Sequence, residues 1–209
     1  MAIAQRQVVP EPRLYQWTRE EYYKMGEFGF FDDARVELIE GEVIEMSPIN
    51  SAHATSVTLA GEVLREIFHT GWVIREEKPL SFGINSDPEP DIAIVKGKTR
   101  DFEDAHPSTA ALVIEVSDSS LTYDRSRKSS LYAKAGITDY WIVNLQDRQI
   151  EIHRRPIIDA NAKYGFSYGD KMTFKEDDSV TPLAEPSATI AVADLLPQGV
   201  LNAKEKDNA

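Results

Sequence analysis

The chain has 209 residues, 42% hydrophobic and 28% charged, with no cysteine and a formal net charge of −12. This composition fits one globular domain with a sizeable core and argues against wholesale disorder. Disulfides and thiolate metal sites are excluded, and no apolar run approaches the roughly 20 residues of a bilayer-spanning helix, so no membrane partner is expected. The opening residues, MAIAQRQVVPEPR, lack the apolar stretch of a secretory signal, and a cytoplasmic location is expected. The acidic balance counts against nonspecific grip on nucleic acid, where Lys and Arg supply the phosphate contacts. It still leaves room for a local basic strip or an acidic cation site.

Residues 1–17 read as an extended arm broken by Pro10 and Pro12. Thr18 with Glu21 fits a capping box, which predicts a short helix to about Gly26. Residues 35–46 predict a β-hairpin turned at Glu40-Gly41. Ser51 is the expected N-cap of a helix over 52–69, with Val57, Ala60, Gly61, Leu64, Ile67 and Phe68 on one stripe and Gly71 closing it. Three β-rich runs follow, Trp72 to Phe82, Asp91 to Lys96 and Ala110 to Ser117. A second helix is expected from Leu121 to Ala135, stopped by Gly136. Tyr140 to Leu145 and Gln149 to Arg154 form a further strand pair, and Tyr164 to Phe174 an edge strand. One domain over 18–197, with its core at about 51–154, is therefore expected before a polar tail at 198–209. Its architecture is a mixed sheet flanked by helices.

Asp87-Pro-Glu-Pro-Asp91 runs straight into Ile-Ala-Ile-Val, so Asp91 enters a buried-type strand; the structural alternative is an acidic loop tip. In Ala111-Leu-Val-Ile-Glu-Val-Ser117, Ala111, Val113, Glu115 and Ser117 share one face. An ionised glutamate within so apolar a strand needs a partner: an arginine, a buried hydrogen bond, or a metal ion shared with a second carboxylate. Mg²⁺, with its preference for hard oxygen ligands, suits such a pair. Along the second helix, Asp124, Lys128 and Tyr132 continue the inner row of Leu131 and Ala135, while Arg125, Arg127 and Ser129 point elsewhere. Either Lys128 reaches the site, with Asp124 or Tyr132 orienting it, or Asp124 and Lys128 form an exposed pair. His53 lies near the start of the first long helix, and by chemistry alone it reads as a surface or core-edge histidine. No Gly-rich phosphate loop, Gly-x-Ser-x-Gly or His-Glu-x-x-His is present.

An ordered set of short motifs runs from Glu37 to Arg154. It comprises Glu37-Leu-Ile-Glu-Gly41, Ser47-Pro48, His53, Pro90-Asp91, Glu115-Val-Ser117, Asp124 … Lys128 … Tyr132-Ala-Lys-Ala-Gly136 and Asp139-Tyr-Trp-Ile-Val143. The set resembles the PD-(D/E)XK nuclease superfamily and, more closely, its bacterial Uma-type family of restriction-endonuclease-like proteins. The resemblance implies an α/β (α+β) restriction-endonuclease-like fold, here with an N-terminal helix and hairpin extension. It also implies a nuclease acting on DNA with Mg²⁺ or Mn²⁺ held by Asp91 and Glu115. Asp91, Glu115 and Lys128 are the implied catalytic residues, with Ser117, Asp124, Tyr132 and His53 supporting them. The sequence departs from the motif where lysine belongs, two residues after Glu115, because that position is Ser117; Lys128 is placed to substitute from the helix. A catalytically silent module that binds a protein or nucleic-acid partner is the alternative. A homodimer pairing through the hairpin or a late strand would suit cleavage of duplex DNA.

Overall fold

Alternation of apolar side chains along the central strands gives the sheet two buried faces, and each face takes its own helical layer. The structure, a computed structural model, describes residues 13–199; positions 1–12 of the expected arm and 200–209 of the expected tail lie outside the described residues. Elements follow in the order α1 (Arg19–Glu27), β1 (Val36–Ile39), β2 (Glu42–Glu45), α2 (Ser51–Ile67), β3 (Trp72–Glu76), β4 (Ile92–Lys96) and β5 (Leu112–Ser117). The chain continues through α3 (Leu121–Tyr123), a π-helical segment (Asp124–Lys128), α4 (Ser129–Lys134), β6 (Asp139–Asn144), β7 (Gln149–Ile158) and β8 (Phe166–Lys175). A small pair, β9 (Ser179–Val180) with β10 (Ile190–Ala191), precedes a closing 3₁₀ turn (Val192–Leu195).

The six-stranded sheet has the order β3-β4-β5-β6-β7-β8. β5 and β6 run parallel, and the other four pairings are antiparallel. A parallel pair needs a crossover, and the α3–π–α4 run supplies it. Ile92 and Ile94 of β4, Leu112, Ile114 and Val116 of β5, and Trp141 and Val143 of β6 pack with Val57, Ala60 and Leu64 of α2. Their alternates Ala93, Val95, Val113, Tyr140 and Ile142 pack with Tyr132 and Ala133 of α4. Glu115 lies on the α4 side by the same alternation, as its position in the strand predicts.

Local signals place most ends. The Thr18–Glu21 capping box is present. The hairpin turns at Glu40 and Gly41, both with positive φ (50° and 79°). A Cβ at Gly41 would meet the Gln16 backbone, because residues leading into α1 lie against the turn and Trp17 N–H donates to the Gly41 carbonyl. Gly136 follows α4 at φ 77°, as expected of a helix stop.

Several boundaries differ from expectation. Asn50, not Ser51, is the N-cap of α2; its side chain accepts from the His53 N–H, and the helix ends at Ile67 before Gly71. β3 stops at Glu76 because Glu77 takes φ 50° and Pro79 lacks an N–H to continue a ladder. The expected continuous second helix carries the π segment at Asp124–Lys128. Ser129, expected to point away from the core, is buried and meets His153 Nδ1 at 3.2 Å. β7 runs on to Ile158, and β8 is the predicted edge strand.

His153 on β7 is 3% exposed, packed edge-on against Tyr140. Burial, with Lys171 adding, pushes its pKa down to about 4. An unfolded histidine titrates near 6.5, so the unfolded chain takes up the proton first. Stability from neutral His153 is complete above that pH and is lost as pH falls toward about 4. Urea unfolding of wild type and His153→Asn at pH 7, 5.5 and 4 should show the wild type losing up to roughly 2–3 kcal/mol relative to the variant. Parallel pH curves would contradict this.

Candidate active site

β4 and β5 separate just where the chemistry-bearing residues begin. Beyond the last paired positions of β4, Asp91 takes the place of a ladder partner: its Oδ2 accepts the Val116 N–H at 2.6 Å. Its Oδ1 lies 2.9 Å from His53 Nε2, on the first turn of α2. Burial works against the imidazolium, but the hydrogen bond and charge of Asp91 outweigh it, so the His53 pKa is raised. The acidic loop tip is corrected by the structure. Asp87 and Asp91 are both buried, and Asp87 accepts from Tyr23 of α1 at 2.5 Å.

On β5, Glu115 Oε1 accepts from the Tyr132 hydroxyl at 2.6 Å and lies 3.2 Å from Lys128 Nζ. Lys128 in turn donates to Glu37 Oε2 at 2.6 Å, across 91 residues of sequence. Glu37 stands on β1 and also accepts the Glu89 N–H, tying the hairpin to the Pro-rich entry of β4. Lys128 and Glu37 keep only 3% and 2% of their side chains exposed. Burial opposes the Lys128 ammonium, but Glu115 and Glu37 more than compensate and raise its pKa, so it stays charged. The exposed Asp124–Lys128 pair is thus excluded. Lys128 is oriented by Glu37, not by Asp124 or Tyr132: Asp124 accepts from Ser120 at 2.5 Å, and Tyr132 bonds Glu115.

Burial lifts Glu115 well above the usual carboxylate range; Lys128 opposes the shift, while Asp91, Asp124 and Glu37 add to it. Asp124 is likewise pushed up to about 6, chiefly by burial. A cavity of about 340 Å³ is lined by His53, Asp91, Glu115, Asp124 and Lys128 together. Tyr132 and Ser117 stand behind it, both buried, Tyr132 under Glu115 and Ser117 beside Ser120. Glu37 and Tyr123 also line the cavity and were not singled out as site residues from sequence. Glu37 carried a usable signal, the same one as Glu115: a carboxylate inside an apolar strand.

Four buried carboxylates, Glu37, Asp91, Glu115 and Asp124, thus share one region with the Lys128 ammonium, and Arg35 and His53 line the same cavity. Burial raises Glu115 and Asp124, so holding all four ionised calls for further positive charge. Both Glu115 contacts fall on Oε1, and its side chain keeps 7% exposure. Among the described residues no three Asp, Glu or His side chains come together as a ready-made metal cage. An ion held there would take only one or two protein carboxylates and complete its shell with water or phosphate oxygens.

A family model described as "Putative restriction endonuclease", Uma2, matches residues 19–193. The chain belongs to this family. The crystal structure of a "putative nuclease belonging to DUF820" from Anabaena variabilis ATCC 29413 shares the fold, with a TM-score of 0.61 and 14% identity. That alignment covers 82% of this chain and 96% of the other. No curated protein matches the chain.

The Uma2 assignment covers the N-terminal helix and hairpin as well as the sheet, and the hairpin supplies Glu37. Glu37→Ala removes the closest partner of a buried ammonium and should cost about 3–5 kcal/mol in chemical denaturation. The double variant Glu37→Leu/Lys128→Met should lose less than Glu37→Ala alone. A Glu37→Ala protein as stable as wild type would show that the pair does not hold the hairpin.

Proposed function

We propose that this Uma2 chain is a divalent-metal-dependent endonuclease of the PD-(D/E)XK type that hydrolyses phosphodiester bonds in DNA. The observation that carries the reading is Lys128: an ammonium delivered from the helix to within 3.2 Å of Glu115 in the cavity that Asp91 also lines. It supports Lys128 as the replacement for the lysine absent at Ser117. Asp91 and Glu115 are the residues that would hold Mg²⁺ or Mn²⁺. When bound, such an ion supplies a Lewis acid to the phosphate and a more acidic water.

The protein's own groups account for the rest. His53 and the Val116 N–H hold the Asp91 carboxylate in place, and Tyr132 and Lys128 hold that of Glu115. Because Glu37 and Glu115 keep Lys128 protonated, it cannot serve as the base for the attacking water. Its part is electrostatic, facing the charge that grows on the phosphate oxygens as water attacks and the leaving oxygen departs. Ser117 and Ser120 position Asp124 at the cavity wall.

One observation favours the silent-module reading: the Lys128 ammonium is already engaged by Glu37 at 2.6 Å. Cleavage of supercoiled plasmid with Mg²⁺ and with Mn²⁺ separates the two. Wild type should nick or linearise the DNA, and Glu115→Gln should lose the divalent-dependent activity. Lys128→Met should fall by about 10²–10³-fold, the range for losing one charge-stabilising donor. Equal rates in wild type and Glu115→Gln would contradict the assignment, and an inert wild type that still binds a partner would favour the silent module.

A further inference from the structure

Tyr123 immediately precedes the π segment that carries Asp124 and Lys128, and its ring forms part of the cavity wall. Its hydroxyl is buried and has no hydrogen-bond partner among the described residues. Glu37 and Lys128 both act on it through their charge, but neither stands at hydrogen-bond distance from the hydroxyl. A buried hydroxyl with no acceptor for its proton is unfavourable for the free protein, and native structures keep few such groups without a use. Phosphate oxygens are strong acceptors.

We propose that Tyr123 is a substrate-contact residue whose hydroxyl donates to a non-bridging oxygen of a phosphate flanking the scissile one on the bound strand. The inference rests on the nuclease reading above and adds a residue that the motif set does not contain. The residue is only partly buried and lines the cavity while its hydroxyl is covered in the free protein, so the contact requires the side chain to turn its hydroxyl toward the substrate as it enters. A neutral donor of this kind holds the ground state and the transition state about equally, so its loss belongs in KM.

Tyr164 provides a matched control. Its hydroxyl is likewise buried without a hydrogen bond of good geometry among the described residues, Arg127 lying beside it, and it is not one of the residues around the cavity. Steady-state cleavage of a labelled duplex oligonucleotide, with the divalent ion that supports wild-type activity, compares Tyr123→Phe with Tyr164→Phe. Tyr123→Phe should raise KM about 10-fold, leave kcat within about twofold, and leave the thermal midpoint unchanged or higher, since no native hydrogen bond is broken. Tyr164→Phe should change neither kinetic parameter. An unchanged KM in Tyr123→Phe, a loss confined to kcat, or an equal rise in Tyr164→Phe overturns the inference while the nuclease reading stands. A wild type that cleaves nothing removes the reading and the inference together.

Discussion

The buried ion pair between Lys128 and Glu37, with Glu115 on the other side of the ammonium, joins three parts of the chain that share no local sequence. Glu37 comes from the N-terminal hairpin, Lys128 from the helical crossover and Glu115 from the centre of the sheet. None of these charges tolerates burial alone, because desolvation of an unpaired ion costs several kcal/mol. Together they fix where the hairpin sits, which way the crossover faces and which atom of Glu115 is occupied. The cavity lies at this cluster, and Asn50 and His53 at the start of α2 line it too. Further along α2, apolar side chains close onto β4, β5 and β6.

The remaining site residues follow from that constraint. With Glu115 held from behind by Tyr132 and Lys128, Asp91 reaches the same cavity from the neighbouring strand and is anchored to the β5 backbone at Val116. The π segment lies where Lys128 has to meet two carboxylates at once. Its Ser129 N–H reaches back to the Asp124 carbonyl, one residue further than an α-helix allows, and this wider turn has Asp124 and Lys128 at its ends. Such insertions occur often at functional sites. The four carboxylates gathered there around Lys128 put part of the chain's net charge of −12 into one buried cluster.

Much of this was legible in the sequence, for reasons that are local. Alternation along 111–117 put Glu115 on a shared face with Val113 and Ser117, and the helical row of Asp124, Lys128 and Tyr132 proved to be buried throughout. The Thr18–Glu21 capping box and Gly136 set their helix ends through contacts within a few residues. What escaped depends on distant partners. The bond from Lys128 to Glu37 spans 91 positions, and nothing in either segment names the other. The same holds for Tyr23 closing on Asp87, which turned an apparent acidic loop into a latch for α1. The π turn was invisible because each of its residues is compatible with an ordinary helix, and packing alone selects the wider one.

The central claim is that Asp91 and Glu115 together hold a divalent ion beside a Lys128 that stays on Glu37. Crystals grown with Mn²⁺ and measured at its absorption edge test it directly. The account predicts an anomalous peak shared by the Asp91 and Glu115 carboxylates, with Lys128 still paired to Glu37. An absent peak at saturating Mn²⁺, or one that engages neither carboxylate, would contradict it.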